Sequence, residues 1–291
     1  MLAWIRESVS ELGRGPLVVQ SDVLRSGRPF ARYEGRAAWL DAHVELLAAT
    51  GRPLWMPTFH YGFTRDGWFD VRESPSEVGA LTERFRFTSA AWRTPVPVFS
   101  FAGTGDVPEV ATGPLIDPFD ERSAFAAMVR DDAVLLFYGA PFSVSTIKHH
   151  AERRSGGPLY RFDKDFAGVV RVASGASLPV ALRYHVRPLG LPLTYEDDRI
   201  ERELEADVGA AGLRRFDRVG ATLLAVSARR AVDAWLARLA SDPLYFLDAP
   251  SRAWIEPALE RLGRRFERSD FEGPDATVHA AGTADVADPT T

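Results

Sequence analysis

The sequence contains no cysteine among its 291 residues. This absence excludes structural disulfides, thiolate zinc sites, iron–sulfur ligation and a cysteine nucleophile. Lysine is scarce, because all but two of the 35 basic residues are arginine, the exceptions being Lys148 and Lys164. No apolar run approaches the roughly 18 residues of a membrane span. The formal net charge of −5 also disfavours a general binder of nucleic acids or anionic membranes.

Familiar catalytic motifs are missing as well. The six histidines show no HExxH spacing, which excludes a zincin. No glycine-rich dinucleotide fingerprint follows a strand, and no P-loop occurs, so nothing indicates a nucleotide phosphate site of either kind. A GxSxG nucleophile elbow is absent too. Any enzymatic function must therefore rest on a less widespread arrangement of residues.

The residues that are present predict an α/β protein. Hydrophobic residues make up 46% of the chain and charged residues 26%, which is ordinary for a globular protein with a large core. Short apolar strand patterns alternate with helical spacing throughout, which favours a three-layer α/β/α domain. We expect one domain over residues 1–268 and a disordered tail over 269–291, which is rich in Gly, Ala, Asp, Thr and Pro. Residues 1–13 resemble an amphipathic helix rather than a signal peptide, so a cytoplasmic location is expected.

The segment Leu135–Glu152 offers the clearest chemistry. An apolar strand ends at Gly139, a loop follows, and a helix begins near Ser145. Histidines His149 and His150 then occupy the first turns of that helix, just past the carboxyl end of a strand, where α/β enzymes place catalytic groups. A pKa near 6.5 suits a general base. Alternatively, the two histidines form a polar helix face, with one bonded to a backbone carbonyl.

A series of short motifs occurs in a fixed order along roughly residues 1–250. In order they are Met56-Pro57-Thr58, Ser74-Pro75-Ser76 followed by Gly79, Leu81, Glu83 and Phe85-Arg86, Arg93-Thr94 followed by Pro97 and Ser100-Phe101-Ala102, Pro118-Phe119 followed by Ser123, Leu135–Glu152, Val219-Gly220 followed by Val226, and Asp242-Pro243-Leu244 followed by Phe246-Leu247. This order resembles the aminoglycoside 3-N-acetyltransferase family.

The resemblance implies a reaction and a fold. Members of the family acetylate amines with acetyl-CoA on an α/β/α sandwich with a mixed central sheet, distinct from the GNAT fold. Their active-site stretch is similar to Asn-Thr-x-x-His-x-Ala-Glu, which here is the segment from Ser145 to Glu152. The resemblance therefore selects His149, rather than His150, as the catalytic histidine, with Glu152 as its partner. It implies acetyl-CoA, or another acyl-CoA, as co-substrate and no metal.

Further site residues also follow from the resemblance. The Thr58 and Ser100 hydroxyls, with nearby backbone amides, are the expected catalytic donors to the thioester oxyanion. The expected cofactor-binding residues are Gln20, Ser21, Asp22, Thr58, Ser100, Phe119 and Ser123. The expected substrate-binding residues are His60, Asp66, Tyr160, Arg161, Lys164, His185 and Arg187.

The sequence also departs from the family pattern. Val96 and Gln20 stand where the family has histidines, and Arg187 stands in a region where the drug-modifying enzymes have acidic residues. A polycation would be repelled by Arg161, Lys164 and Arg187 unless the acidic residues 196–198 turned inward. We instead interpret these acidic residues as a cap on the next helix. Arg187 either binds an anionic group or pairs with this acidic segment. The departures indicate a divergent, biosynthetic-type member.

We therefore expect a CoA-dependent N-acyltransferase that acts on an amine of an amino sugar or biosynthetic intermediate, with His149 as general base. The alternatives are an O-acyltransferase or longer-chain acyltransferase on the same scaffold, and a non-catalytic homologue that binds CoA or another ligand. The intact His149 argues against the non-catalytic alternative. The expected partner is a small-molecule amine, and neither a nucleic acid nor a membrane is expected as a partner. The sequence is compatible with a homodimer.

Overall fold

The computed structural model describes residues 1–26, 34–191, 193–218 and 221–272. The helices are α1 (Leu2–Leu12), α2 (Arg36–Ala48), α3 (Phe63–Asp66), α4 (Ala80–Thr88), α5 (Ala124–Arg130), α6 (Lys148–Arg154), α7 (Asp197–Val208), α8 (Ala228–Ser241) and α9 (Ala249–Leu262). The strands are β1 (Leu17–Ser21), β2 (Leu54–Pro57), β3 (Trp68–Asp70), β4 (Trp92–Arg93), β5 (Phe101–Gly103), β6 (Leu115–Ile116), β7 (Val134–Tyr138), β8 (Phe162–Arg171), β9 (Ser177–Val186), β10 (Leu213–Arg218) and β11 (Ala221–Ser227). Short 3-10 helices cover Phe142–Val144, Gly209–Ala211 and Arg268–Asp270.

A seven-stranded mixed sheet forms the centre of the fold, in the order β10-β11-β7-β1-β2-β5-β4. Strands β7, β1 and β2 run parallel in the middle, and the strands on either side pair antiparallel. The register of β1 and β7 places Ser21 opposite Tyr138. The carboxyl ends of the two strands therefore meet at one edge of the sheet, and the loops that follow them are neighbours.

The central sheet is buried on both faces. Alternate residues of β1 point to different hydrophobic clusters, with Leu17 and Val19 in one and Val18 in the other. The first cluster includes apolar residues of α1, α2 and α4, and the second includes residues of α5 and α8. This arrangement confirms the predicted α/β/α sandwich with a mixed central sheet. It also explains why the central strands are continuous apolar runs.

A second sheet of four strands, in the order β3-β8-β9-β6, lies outside the central one. Strands β8 and β9 form a long antiparallel hairpin whose register pairs Phe162 with Val186. The sequence predicts extended segments here but not a separate sheet. The ends of this hairpin bring the segments around Arg161 and Arg187 to the functional site described below.

Some local expectations differ from the structure. The run Ser74-Pro75-Ser76-Glu77 has the pattern of a helix start with Ser74 as its cap. In the structure the Ser74 hydroxyl accepts a hydrogen bond from the Asp70 backbone instead, and the helix begins later, at Ala80. Residues near 143 form a 3-10 turn before the α-helix starts at Lys148.

The described part of the chain extends beyond the expected domain end at residue 268 as far as Glu272. The Phe271 ring is stacked on Phe162. The rest of the predicted tail, 273–291, and the pair Val219-Gly220 lie outside the described residues. Over the described ranges, none of the helices combines the length and apolar character that crossing a membrane would require.

Candidate active site

A cavity of about 1240 Å³ opens where β1, β2 and β7 end. Its wall includes Ser21 from the end of β1, Pro57 from the end of β2 and the loop that follows β7. In open α/β sheets, ligands bind in the crevice outside the carboxyl ends of the strands. The cavity is therefore where the topology alone would place a functional site.

His149 and Glu152 form a hydrogen-bonded pair beside this cavity. Both lie on α6, three residues apart and so on the same helix face. His149 Nδ1 lies 2.7 Å from Glu152 Oε2. The His149 side chain is 23% exposed and lines the cavity, whereas Glu152 is 1% exposed behind it. The histidine can thus meet a ligand while the carboxylate is shielded from water.

Glu152 is surrounded by polar groups from two other parts of the fold. The hydroxyls of Tyr160 and Tyr195 both donate to Glu152 Oε1, the latter at 2.6 Å. His185 Nε2, from β9, lies 3.2 Å from Glu152 Oε2. A buried carboxylate with several donors stays ionised. Glu152 can therefore accept a hydrogen bond from the N–H group at His149 Nδ1. This fixes the histidine tautomer and leaves Nε2 as the basic nitrogen.

The pKa values agree with this arrangement. Burial alone would raise the pKa of Glu152, but the hydrogen bond from His149 and the neighbouring ring of His185 hold this pKa well below the usual range. Burial lowers the pKa of His149, and the bond to Glu152 offsets part of that effect. His149 is therefore neutral, and able to accept a proton, at neutral pH.

Tyr195 belongs to the site but was missed by sequence reasoning, whereas Asp197, which we expected to act as part of a helix cap, turns inward to the cavity. Asp197 forms an ion pair with the buried Lys148, whose ammonium group lies 5.3 Å from the centre of the Tyr195 ring. All three line the cavity. The rarity of lysine drew attention to Lys148, but no motif marks the other two. They enter the site through the tertiary packing of the segment before α7 against α6.

Several residues predicted as ligand contacts line the cavity. Gln20, Ser21 and Asp22 do so from the end of β1, and Arg161 and Arg187 do so from the ends of β8 and β9. Arg161 donates to the Tyr195 hydroxyl at 3.1 Å. The expected alternative for Arg187, a pair with Glu196 or Asp198, does not form, and Glu196 pairs with Arg199 instead.

Thr58 and Ser100 do not line the cavity, which corrects the expectation that they donate to an oxyanion or contact the cofactor. Both are fully buried and share a hydrogen-bond network with Arg93, whose Nε lies 3.1 Å from each hydroxyl. Ser100 also donates to the Thr58 carbonyl at 2.7 Å. Their hydrogen-bonding capacity is used to satisfy a buried arginine, so their role in the structure is internal support.

Two predicted cofactor contacts also lie outside the cavity wall. Phe119 is fully buried, packs against the His149 ring at 5.3 Å, and accepts a hydrogen bond from His150 through its carbonyl. Ser123 caps α5 by accepting from the Ala126 backbone. Phe119 therefore supports His149 from behind, and Ser123 supports a helix.

Of the residues predicted to contact substrate, only Arg161 and Arg187 line the cavity. Tyr160 and His185 are fully or almost fully buried and adjoin Glu152 rather than the cavity. Lys164 pairs with Glu272 at 2.6 Å on another surface. His60 borders the cavity residue Glu77 at 3.5 Å without lining the wall itself, and Asp66 lies in α3 away from it.

His149, Glu152 and His185 are also a group whose donor atoms could hold a metal ion, since these atoms lie within 4.8 Å of one another. The 2.7 Å separation of His149 Nδ1 and Glu152 Oε2 is a hydrogen-bond distance. The two tyrosine hydroxyls already occupy the other oxygen of Glu152. Acid–base chemistry accounts for the geometry directly.

Comparison with protein families gives a match over residues 23–240 to the family described as aminoglycoside 3-N-acetyltransferase. The matched part is most of the chain and contains α6, the β8–β9 hairpin and the cavity wall except for Val18, Gln20, Ser21 and Asp22. None of the curated proteins compared matches the chain.

Solved structures share the fold at low sequence identity. AAC-IIIb, solved as a binary complex with CoASH, has a TM-score of 0.63 and 19% identity, with 83% of this chain and 96% of that chain covered. The AAC(3)-IVa apoenzyme has a TM-score of 0.61 and 21% identity, with coverages of 86% and 92%. AAC-VIa bound to sisomicin has a TM-score of 0.59 and 17% identity, with coverages of 82% and 97%.

Proposed function

The chain belongs to the aminoglycoside 3-N-acetyltransferase family, as its ordered motifs predicted, and we propose that it transfers an acyl group, in the simplest case acetyl, from CoA to an amine of an amino sugar or biosynthetic intermediate. The observation that carries this proposal is the His149–Glu152 pair on the wall of the cavity. A histidine held by a buried carboxylate, with one ring nitrogen free toward a cavity, is suited to remove a proton from an amine.

CoA binding is supported by the shape and position of the cavity. Its volume of about 1240 Å³ exceeds the ~300–1,000 Å³ usual for drug-sized ligands. It can therefore hold the acyl end of a CoA thioester together with an acceptor. Gln20, Ser21 and Asp22 line it from the end of β1. AAC-IIIb, which has a similar fold, was solved with CoASH.

The proposed reaction proceeds through direct attack. The acceptor amine attacks the thioester carbonyl carbon while His149 Nε2 takes a proton from the attacking nitrogen. The tetrahedral intermediate then collapses, the carbon–sulfur bond breaks, and the CoA thiolate leaves and takes the proton from the His149 imidazolium, which restores the neutral base. Glu152 stabilises the imidazolium that forms on His149. Because Thr58 and Ser100 are committed to Arg93, backbone amides in the cavity are the proposed oxyanion donors.

Replacing His149 tests the proposed base. We expect His149→Ala to lower turnover by roughly 10²–10⁴-fold, the usual contribution of a positioned base. Acetyl-CoA binding should persist, and acetyl-CoA at 100-fold above its dissociation constant should stabilise either protein by about 2.7 kcal/mol. The measurements are acetyl transfer over a panel of amines and a thermal shift with acetyl-CoA.

His150→Gln is the matched control. His150 is fully buried and bonds to the Phe119 carbonyl, so its loss should reduce stability but change turnover far less than the loss of His149. A larger fall in turnover for His150→Gln than for His149→Ala would contradict the assignment of the base. No thermal shift with millimolar acetyl-, propionyl- and malonyl-CoA would contradict the proposed co-substrate.

A further inference from the structure

Two arginines lie at the end of the β8–β9 hairpin on the cavity wall. The last register pair of the hairpin is Phe162 with Val186, and Arg161 and Arg187 are the residues next to this pair on the two chain segments. Both residues line the cavity that His149 lines. Two guanidinium groups on the wall of one cavity repel each other unless an anion lies between them. This position therefore holds a concentration of positive charge beside the reaction site.

The hydrogen bonds of these arginines are incomplete. Arg187 is exposed and makes no hydrogen bond or ion pair with any of the described residues. Arg161 donates to the Tyr195 hydroxyl at 3.1 Å, but its Nε is buried and has no partner in the described part of the chain. A buried donor without a partner is costly, and one that borders a cavity is satisfied when a ligand supplies the acceptor.

The local charges leave room for one more anion. Glu152 is close enough to raise the pKa of Arg161, against the opposing effect of burial, and its carboxylate balances one guanidinium charge. The nearby Lys148 is already paired with Asp197. Arg187 lines the same cavity and has no anionic partner among the described residues. A guanidinium group offers two parallel N–H donors that match a carboxylate or a phosphate.

From these contacts we infer that Arg161 and Arg187 bind an anionic group, a carboxylate or phosphate, carried by the acceptor molecule. This inference rests on the proposed function, since it names the class of amine that the acyltransferase uses. The acceptor is then an amino acid-like or phosphorylated amine rather than a polycation.

The position of the site assigns the anion to the acceptor rather than to CoA. The Tyr195 hydroxyl lies 3.1 Å from Arg161 Nη2 and 3.3 Å from His149 Nδ1. Only one hydroxyl group therefore separates the arginine from the proposed base. The phosphates of CoA lie at the far end of the pantetheine arm from the thioester carbonyl that reacts near His149. An anion at Arg161 consequently belongs to the molecule whose amine is being deprotonated.

Matched pairs of amines test the inference. We would titrate the protein, with and without saturating CoA, with glucosamine and glucosamine 6-phosphate, and with β-alaninamide and β-alanine. At least one anionic member should bind about tenfold or more tightly than its neutral twin, the scale of one charge-assisted hydrogen bond. Arg187→Gln should remove most of this preference and leave acetyl-CoA affinity unchanged. Where turnover is measurable, KM for the anionic amine should rise more than kcat falls.

Arg183→Gln is the control, because Arg183 lies on the same strand but pairs with Asp165 away from the cavity. This variant should retain the full preference. Equal binding of both twins in every pair, or an unchanged preference in Arg187→Gln, would overturn the inference. So would a loss of acetyl-CoA affinity in Arg187→Gln, because the arginine would then bind CoA. Failure of the wild type to bind acetyl-CoA would instead refute the proposed function, and the titrations without CoA still measure anion preference.

Discussion

Glu152 is the residue on which the proposed chemistry depends. It is buried on α6, yet it receives hydrogen bonds from His149, Tyr160 and Tyr195. These donors satisfy the buried carboxylate, and although burial raises its pKa, the bond to His149 together with nearby His185 and Arg161 holds the pKa well below the usual range. An ionised Glu152 then orients the His149 ring. The reactivity of the partly exposed His149 is thus set by a carboxylate that is shielded from the cavity.

Removing the Tyr195 hydroxyl tests this dependence. Tyr195→Phe takes one donor from Glu152, which makes the carboxylate more basic and should raise the pKa of His149. We expect the acid limb of the kcat/KM profile to move to higher pH and kcat to fall by about tenfold, the scale of one hydrogen bond to a charged group. The KM for acetyl-CoA should change little. The pH–rate profile is the deciding measurement.

Tyr245→Phe provides the comparison for Tyr195→Phe. Tyr245 lies next to Phe246 under the Arg199 guanidinium group and does not line the cavity. Its replacement should leave the acid limb in place. An unchanged limb in Tyr195→Phe, or an equal shift in both variants, would mean that the hydroxyl does not influence His149.

Sequence reasoning reached some of these residues and not others for a physical reason. The spacing of His149 and Glu152 places them on one helix face, so a motif within one segment carries the signal. Tyr195 lies more than forty residues away in the chain and acts only because α6 packs near it. Tyr160 and His185 were predicted to contact substrate, but they lie behind Glu152 instead. A linear pattern does not distinguish a ligand contact from a support.

Among the elements, the turn after β7 has a strict steric requirement. Gly139 has a φ of 73°, a backbone conformation that residues other than glycine rarely adopt. A Cβ there would lie 2.3 Å from the Asp22 carbonyl oxygen and 2.4 Å from the Ser26 nitrogen. Both obstacles are backbone atoms of the loop after β1, and Asp22 lines the cavity. Glycine thus lets the two loops at the mouth of the cavity approach each other.

Gly139→Ala should therefore harm both stability and cofactor binding. The positive φ alone costs about 1–2 kcal/mol, and the clash adds to it by displacing the loop after β1. We expect a larger loss of unfolding free energy than from strain alone, together with a raised dissociation constant for acetyl-CoA. Urea denaturation and calorimetric titration measure the two effects.

Gly175→Ala separates strain from collision. Gly175 has φ of 92°, but a Cβ there would meet nothing within 4 Å. This variant should lose only the stability that strain accounts for and should bind acetyl-CoA as the wild type does. If Gly139→Ala behaved in the same way, the close approach of the two loops would not matter for binding.

The predictability of the elements follows their burial. Strands β1 and β7 are buried on both faces, so each is a short apolar run that the sequence displays directly. Ser74 has the sequence features of a helix cap, but its hydroxyl is taken by the Asp70 backbone and its carbonyl by Arg93. Those partners come from other segments. Local rules fail there because tertiary hydrogen bonds compete with the cap.

At the scale of the whole molecule, the fold buries neutral histidines in two separate regions. His43 on α2 bonds to the Tyr138 hydroxyl at 2.7 Å in the core of the central sheet. His185 lies on β9 in the second sheet, next to Glu152. Burial lowers the pKa of each to about 4. Each site therefore favours the uncharged ring, and the unfolded chain, with a pKa near 6.5, does not.

This difference predicts how stability depends on pH. Because the folded-state pKa values are depressed, the unfolded chain binds more protons as the pH falls below 6.5, and it gains relative to the folded protein. The contribution is fully present above pH 6.5 and is lost progressively toward pH 4, by about 3 kcal/mol for each histidine. Urea unfolding midpoints near neutral pH and at about pH 5 measure the slope.

His43→Gln should flatten this dependence of stability on pH, since an amide does not titrate. The variant should leave acetyl transfer unchanged because His43 lies outside the cavity wall. The low pKa of Glu152 adds a further loss that begins as the pH falls toward the ordinary glutamate pKa of about 4.3, so the interval from neutral pH to about pH 5 mainly reports the histidines. A slope as steep in His43→Gln as in the wild type would show that this buried histidine is not a source of the acid sensitivity.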